Sequence, residues 1–409
     1  MWSATTDSVA AQTNDVVFRS WHWEEQLGAA RPTGMGDAFV AISDDASASI
    51  VNPAGLVRCG KFAEGTFSAV VSHEAPFGPD SLDGRSHGWP VVPVSANMRL
   101  GCRWAVGAYW SRPRAAQIVL GGSALPNGTR YEGSMDEATL KGPGLALGFR
   151  VNHRLTLGAN VNFMRLGMTA SYSEFAASGA ETLRINVDDN SPIRLTATFG
   201  ALFDVTRRLK AGAVYRLNTS WPLSRNAADP RVATTPREVL TFEVRAPDIF
   251  TGALAWDVRV GHRRQWLTLA GQADRTRYSQ VASELTIRRG SFRPTDYQLT
   301  DAWEPHLGLE WSIPTSCWSG CGSLLQLRAG AQRQGSGTLA YQGVDANEAA
   351  TFPGSSARWV WSAGASVARR IVFPVRLDAA VRFGDHVPTT LVIDLGVRYG
   401  VTFGDVGPR

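Results

Sequence analysis

The chain has 409 residues, a formal net charge of +5, 19% charged and 44% hydrophobic residues, and no run of about 18 uncharged apolar residues. These values exclude a transmembrane helix but not a membrane barrel, because a membrane strand needs only about 9–11 residues. Lys and Arg are scattered singly, which argues against a nucleic-acid partner, since such partners require clustered basic residues.

The N-terminal 25 residues are polar and show no clear period. They begin MWSATTDSVAAQTNDVV, without a basic n-region or an apolar h-region, so no signal peptide is visible. We expect this tail to lie over a surface.

Residues 31–58 form a small, apolar, glycine-rich stretch that differs from everything after it. We predict a helix from Asp44 to Ile50, because Ser43 is a favoured N-cap residue and Asp44 and Asp45 suit the first helical turn. Pro53 should hold Asn52 out of helical geometry and so end the helix.

From Lys61 onward, apolar and polar residues alternate in fourteen segments, each of which predicts a strand. Long connections, such as 114–140, 171–190 and 218–246, alternate with short ones such as 100–103 and 152–154. Short turns at one rim and long loops at the other are typical of an outer-membrane barrel. The predicted segments are 66–71, 92–100, 104–110, 145–151, 155–163, 193–204, 209–217, 250–258, 265–278, 303–313, 325–332, 359–368, 375–383 and 391–403.

A soluble β-sandwich or propeller would also alternate, with a polar outward face and an apolar inward face. Periodicity alone does not separate these folds. The even strand count, the alternation of loop length and the aromatic residues near strand ends favour an all-β, 14-stranded antiparallel transmembrane β-barrel. The N-terminal stretch would then plug the barrel.

The four cysteines predict two disulfides and no metal site. Cys59 precedes the first strand, and Cys102 lies in the turn between the second and third strands. These strand ends should be neighbours in the barrel, so we predict a Cys59–Cys102 disulfide. Cys317 and Cys321 lie in a tight-turn setting and form the second predicted pair. No CxxC pair or run of histidines is present, so we expect no metal and no cofactor.

The glycine-rich stretch resembles the N-terminal hatch of the FadL/TodX family of outer-membrane transporters for long-chain fatty acids and other hydrophobic compounds. The resemblance implies a hatch within residues 1–58 and a fourteen-stranded barrel over residues 59–409. It also implies a hydrophobic small molecule or lipid as ligand, contact with outer-membrane lipids, a monomer, and location in the outer membrane of a Gram-negative-type bacterium. The residues that carry it are Gly34, Gly36, Phe39, Asp44, Asp45, Asn52, Pro53, Ala54, Gly55 and Leu56.

The same resemblance implies capture of the ligand among the long outer loops and its exit through a gap in the wall. Val119, Leu120 and Leu125 are the candidate capture residues. For the gap, Gly107 and Pro113 are candidates, because Gly weakens a strand and Pro cannot donate to its ladder; alternatively, Pro113 merely ends the strand.

Three arginines expected to face the lumen, Arg194, Arg328 and Arg398, are candidate partners for a ligand carboxylate. Alternatively, these arginines pair with acidic residues across the lumen, such as Glu310 and Asp378. His306 has no evident nucleophile beside it, and we predict that the protein is not an enzyme.

The hatch signature also occurs in a sister group resembling PorV and PorQ, barrels that serve type IX protein secretion. A transporter should contain a continuous apolar tunnel from the outer loops to the hatch. A secretion-associated barrel should lack the tunnel and offer a large loop surface to a protein. Both functions stay open at this point.

Overall fold

The structure is a computed structural model that describes residues 29–59, 63–73, 76–77, 84–85, 94–124, 130–228, 238–261, 265–284, 293–315, 323–335, 339–346, 349, 354, 357–370, 374–384 and 387–399. In this part of the chain, no helix has the length and apolar character needed to cross a membrane.

The helices are α1 (Ala30–Gly34) and α2 (Ala48–Val51), with 3-10 helices η1 (Pro53–Arg58), η2 (Tyr278–Glu284) and η3 (Pro294–Asp296). The strands are β1 (Ala63–His73), β2 (Pro76–Phe77), β3 (Gly84–Arg85), β4 (Val94–Leu100), β5 (Trp104–Ala124), β6 (Arg130–Arg150), β7 (Leu155–Phe175), β8 (Glu181–Asn190), β9 (Arg194–Asp204), β10 (Leu209–Leu217), β11 (Ser220–Ala228), β12 (Glu238–Arg245), β13 (Ile249–Val260), β14 (Gln265–Thr276), β15 (Tyr297–Gln298), β16 (Ala302–Thr315), β17 (Ser323–Gln334), β18 (Ala340–Tyr341), β19 (Arg358–Arg370), β20 (Pro374–Gly384) and β21 (Val387–Tyr399).

Fourteen antiparallel wall strands close into a barrel, as predicted. Three of them consist of two consecutive segments each: β8 with β9, β10 with β11, and β12 with β13. Neighbours around the wall are neighbours in the chain, and β21 closes the ring by pairing with β1 from Ala63↔Tyr399 to His73↔Thr389.

The polarity of the wall is that of a membrane barrel and not of a soluble sandwich. Apolar side chains such as Leu145, Leu254 and Leu307 point outward and are 61%, 55% and 60% exposed. Their neighbours on the other face are polar and buried, for example Gln272 and His306. An outward band of apolar residues around a polar interior is the arrangement that lipid on one side and a lumen on the other require.

Several wall strands are longer than the alternation predicts. Residues 114–140, expected as a long loop, continue β5 and β6, which pair from Arg114↔Leu140 to Ala124↔Arg130. The expected loops 171–190 and 218–246 likewise contain β8, β11 and β12. These loop predictions were wrong, because an antiparallel ladder continues wherever backbone groups pair, whereas alternation marks only the stretch between lipid and lumen.

The helix predicted at Asp44–Ile50 is shorter and is not capped by Ser43. It is α2, which begins only at Ala48, and the Ser43 hydroxyl instead donates to the carbonyl of Phe39. The Asp45 carboxylate accepts a hydrogen bond from the Ser47 amide at 3.0 Å. The predicted end is confirmed: Asn52, before Pro53, is extended, with φ −151° and ψ 99°.

Residues 31–58, called the hatch from here on, lie against the inward face of the wall at very short range. At Gly200 of β9, an added Cβ would sit 2.0 Å from the Asn52 Oδ1 atom. Inside the hatch, a Cβ on Gly55 would sit 1.8 Å from the Ser43 carbonyl oxygen. Glycine is required at both positions because backbone or a packed side chain occupies the space of any larger residue.

The predicted Cys59–Cys102 disulfide is absent. Cys59 is 3% exposed, and its thiol lies 3.0 Å from the Asp45 carbonyl oxygen, inside the barrel. Cys102 is exposed in the turn between β4 and β5. One thiol is therefore buried and the other exposed, and no disulfide joins them. Cys317 and Cys321 lie outside the described residues.

Candidate functional site

The contact between hatch and wall is centred on a closed ring of six charged side chains, which we call the ionic ring. Its members alternate in sign around the circuit, and two belong to the hatch while four belong to the wall. In order they are Arg31, Glu310, Arg328, Asp378, Arg376 and Asp45, with Asp45 returning to Arg31.

Within the ring, Arg31 reaches Glu310 through two hydrogen bonds, both 2.8 Å long. The Arg31 guanidinium also meets Asp45 at 3.3 Å, and Asp44 just outside the ring. Burial opposes the charge of this group, but Asp44, Glu310 and Asp45 outweigh it and raise the pKa of Arg31 well above its ordinary value. Arg31 is therefore a permanent cation that ties the hatch to β16.

On the wall side, Arg328 of β17 joins two strands. Its Nε atom donates to Glu310 at 2.7 Å, and its Nη1 atom donates to Asp378 at 2.8 Å. Arg376 of β20 donates to Asp378 and lies 3.2 Å from Asp45 of the hatch. Because charges removed from water need partners on every side, the closed circuit stabilises all six groups together.

Backbone groups of the hatch are held as well. The Gly36 carbonyl lies 2.9 Å from Nδ1 of His306, and the Gly36 amide donates to the Ser362 hydroxyl at 2.9 Å. The Ala30 amide, just ahead of the hatch, donates to Asp394 at 2.6 Å. Asn52 donates to the Ala201 carbonyl of β9 at 3.3 Å. The hatch is thus anchored to strands on several sides of the barrel.

Apolar packing completes the attachment. Phe39, Val40 and Ile42 of the hatch are at most 3% exposed and form one buried cluster with Val214 and Ala255 of the wall. A second cluster joins Leu56 and Val57 to Ala105, Tyr109 and Ala146. These contacts exclude water from the polar ones, which strengthens them.

A cavity lined mostly by polar residues lies beside Asp37 of the hatch. His306 stands in its wall with Nε2 3.4 Å from an Asp274 carboxylate oxygen. The lining residues are Asp37, Arg216, Pro247, Ile249, Gln272, Asp274, Thr276, Tyr278, Glu304, His306, Gln332, Gln334 and Arg382. This cavity is not the continuous apolar tunnel expected of a transporter.

Apolar inward-facing side chains are concentrated on other strands, from β6 to β12. Trp221 and Leu223 of β11 are fully buried, and the Trp221 indole donates to the Met164 carbonyl at 3.2 Å. Leu140, Met164, Leu166, Met168 and Val244 are each at most 4% exposed. We call these seven residues the apolar inner face. The inward face of these strands therefore carries an apolar cluster beside buried polar residues such as Asn160 and Asn162.

The wall ladder is interrupted beside the apolar inner face. The sixth and seventh wall strands pair at one end, from Lys210↔Asp204 to Leu217↔Ala197, and at the other end over Arg225–Ala228. Between these stretches, residues 188–196 and 218–224 form no backbone ladder with each other. The Ser224 amide instead donates to the Asp189 carboxylate at 2.7 Å. Trp221 lies in this interval.

The predicted exit residues fall in the third wall strand, in different settings. Gly107 lies in a regular ladder, opposite Asn97 and Ala146, and an added Cβ would meet the Ser49 hydroxyl of the hatch at 2.5 Å. The register of β5 against β6 shifts between Ser111 and Arg114, at Pro113. Pro113 therefore does not end the strand, which continues to Ala124. A role of either residue in an exit stays a prediction.

The predicted ligand contacts are dispersed. Val119 and Leu120 are strand residues of β5, and Leu125 lies outside the described residues. The backbone of Arg398 in β21 lies opposite that of Glu64 in β1. Arg194 is exposed at the start of β9, opposite the inward-facing Met164. Arg328 belongs to the ionic ring, where it pairs with Glu310 and Asp378. This is the alternative prediction, in which the lumen arginines pair with acidic residues.

Sequence reasoning missed Arg31, Arg376 and Trp221. Arg31 stands next to the hatch motif, and its position alone gives no sign of a partner 279 residues away. Arg376 and Asp378 alternate with apolar residues on β20, and that pattern does indicate an inward face. Trp221 lies in a segment expected to be a loop.

No family model matches the chain, and no curated protein matches it. Solved structures do. A Pseudomonas aeruginosa FadL homologue is 18% identical, with a TM-score of 0.60 and coverage of 92% of this chain and 98% of that one. The fold is that of the FadL-type barrels. The Ralstonia pickettii toluene transporter TbuX (13% identity, TM-score 0.58, coverage 91% and 98%) and the Pseudomonas putida toluene transporter TodX (12%, 0.58, 92% and 100%) share it. At identities this low, the comparisons establish the fold and the resemblance to FadL and TodX.

Proposed function

We propose that the protein is a passive outer-membrane channel for hydrophobic small molecules, closed by the hatch in the state seen here. The supporting observation is the apolar inner face, a set of seven buried apolar side chains on the inward face of the wall. In a water-filled porin such a surface would be exposed to water, which is unfavourable for apolar side chains. The structural neighbours include the toluene transporters TbuX and TodX, which supports the same function.

The apolar inner face offers a hydrophobic molecule an apolar environment, which bulk water does not provide. These seven residues are at most 4% exposed in the closed state, so a ligand reaches them only when the packing around them opens. Burial of apolar surface is favourable by roughly 25 cal/mol per Å², so about 200 Å² buried there would then contribute about 5 kcal/mol before ordering costs. Trp221 contributes a broad rigid face to this surface. Binding of this size is strong enough to extract a hydrophobic molecule from water and weak enough to release it.

Long-chain fatty acids are the substrates we favour within this class. Arg194 lies opposite Met164 and is exposed, so a carboxylate could meet its guanidinium while the alkyl chain covers the apolar inner face. Monoaromatic hydrocarbons would use the apolar face alone. The contribution of Arg194 therefore separates the two ligand types.

Release past the hatch requires the hatch to move, since its motif residues pack directly on wall glycines. In this closed state, residues Asn52–Leu56 occupy the space that a tunnel would need. The ionic ring is the part that must open or rotate. Because two of its six members travel with the hatch, movement exposes charges that solvent or a ligand head group must then satisfy.

The test measures uptake of a labelled fatty acid and of toluene in a Gram-negative host that lacks its own carriers. Leu223→Gln places a polar group in the apolar inner face and should reduce uptake of both compounds. Its matched control is Leu254→Gln, on the outward face, which should leave uptake unchanged. Arg194→Gln should reduce uptake of the fatty acid only.

Two results would reject the proposal. The first is uptake by the wild-type protein no faster than in the host alone. The second is equal uptake by the Leu223→Gln and wild-type proteins. The first result would favour the secretion-associated role of PorV/PorQ-like barrels.

A further inference from the structure

The barrel end nearest Arg58, the last residue of the hatch, carries arginine-rich turns. Three described turns read Gly-Cys-Arg (101–103), Val-Asn-His-Arg (151–154) and Val-Thr-Arg-Arg (205–208), and the sequence between β13 and β14 reads Gly-His-Arg-Arg (261–264). None of these four stretches contains an acidic residue. The described exposed arginines there are Arg103, Arg154, Arg207, Arg208 and Arg259, which we call the arginine rim.

The arginine rim is continuous around about half of the barrel. The Arg150 amide donates to the Arg103 carbonyl at 2.8 Å, which joins the first turn to the second. The Asp204 amide donates to the Arg154 carbonyl at 2.9 Å, which joins the second to the third. The Asp257 amide donates to the Arg208 carbonyl at 2.9 Å and leads to the fourth.

The carboxylates at this end are engaged elsewhere. Asp204 pairs with Arg58 of the hatch at 3.0 Å, and Asp257 pairs with Lys210 at 2.9 Å. Among the described residues, no ion pair joins the arginine rim to a carboxylate. The positive charge of the rim is therefore available to an outside partner.

The rim lies directly at the edge of the outward apolar band. Leu100, Trp104, Val151 and Val205 stand within or beside the same turns and are 46%, 45%, 39% and 39% exposed. Arginine beside an apolar membrane surface extends its stem along that surface and places its charge at head-group level. A single partner that covers both features must have an acyl chain joined to an anionic group.

We propose that the arginine rim binds the anionic head groups of phospholipids in the leaflet on the hatch side of the membrane. An acidic soluble protein fits less well, because it would leave the adjoining apolar residues to be covered by something else. Phosphate oxygens suit arginine, whose planar fork donates two hydrogen bonds at once. The expected preference is for phosphatidylglycerol over phosphatidylcholine.

Native mass spectrometry of the full chain in neutral detergent tests the preference. The probe is an equimolar mixture of phosphatidylglycerol and phosphatidylcholine with identical acyl chains. The rim variant is Arg154→Gln/Arg207→Gln/Arg208→Gln. The control variant is Arg184→Gln/Arg275→Gln/Arg277→Gln, which removes three half-exposed arginines at the opposite end of the barrel.

The wild-type and control proteins should retain more phosphatidylglycerol than phosphatidylcholine. In the rim variant this ratio should be at least about fivefold smaller, which corresponds to the effect of one basic residue at an anionic surface. Raising the salt concentration should weaken the wild-type excess, since exposed charges are screened. Wild-type protein with no excess, or a rim variant that keeps it in full, would overturn the proposal. Equal loss in both triple variants would also overturn it, because the preference would then reflect total charge.

Discussion

Arg31 in the hatch and Glu310 in the wall face each other in a two-pronged pair, with both nitrogen–oxygen distances at 2.8 Å. Glu310 also accepts from Arg328, so one carboxylate serves both the hatch and the wall. The pair therefore links the hatch to the buried charges of β16 and β17.

Arg31→Met should loosen the hatch while the barrel remains folded. Removing one member of a buried ion pair typically costs about 3–5 kcal/mol, because the remaining charges lose their partner. Hydrogen exchange should show faster exchange over residues 31–58 and unchanged exchange in the wall strands. Arg184→Gln, which breaks an exposed pair with Glu181, is the control and should change neither region. Uniformly faster exchange in both regions would contradict a local role.

Gly200→Ala should displace the Asn-Pro-Ala turn. The new Cβ would stand 2.0 Å from the Asn52 Oδ1 atom, and relief requires either the Asn52 side chain or the strand to shift. Overpacking of this kind costs about 1–3 kcal/mol. Chemical denaturation of the two variants provides the comparison: Gly252→Ala, which meets nothing within 4 Å, should unfold like the wild-type protein. Equal stability of the two variants would show that this contact does not constrain the hatch.

The barrel was predictable because its signal is repeated along the chain. Each spanning segment must present apolar residues to lipid and polar residues to the lumen, so alternation appears fourteen times. The extensions beyond the membrane carry no such requirement, which explains why Arg114–Ala124 and Arg130–Leu140 were not recognised as strand. Backbone pairing continues through these extensions.

The partners within the site were not predictable from spacing. Arg31 and Glu310 are 279 residues apart, and only the closed barrel brings them together. The sequence does show that Arg328, Arg376 and Asp378 lie on inward faces, which made pairing across the lumen one of the alternatives. Which arginine meets which acid depends on strand register and on the path of the hatch, and neither leaves a local pattern.

Asp45→Asn should raise the ion conductance of the protein in planar bilayers. Asp45 is 1% exposed and lies between Arg31 and Arg376, so neutralising it leaves these two cations facing each other across the ionic ring. Their repulsion favours displacement of the hatch and opens a path for ions. Glu181→Gln, which removes a carboxylate that pairs with Arg184 outside the ring, is the control and should conduct like the wild-type protein. Higher conductance in both variants would point to net charge rather than to the ring.

The two described cysteines should differ sharply in reactivity toward a maleimide. In a Cys317→Ser/Cys321→Ser background, the native protein should label at Cys102, which is exposed, and not at Cys59, which is 3% exposed beside the Asp45 carbonyl. Reducing agent should not change this pattern, because no disulfide joins the two. In the Asp45→Asn variant, labelling of Cys59 should become faster if the hatch is displaced from the wall, while labelling of Cys102 should stay constant and serve as the internal control. Fast labelling of Cys59 in the wild-type protein would contradict the closed hatch.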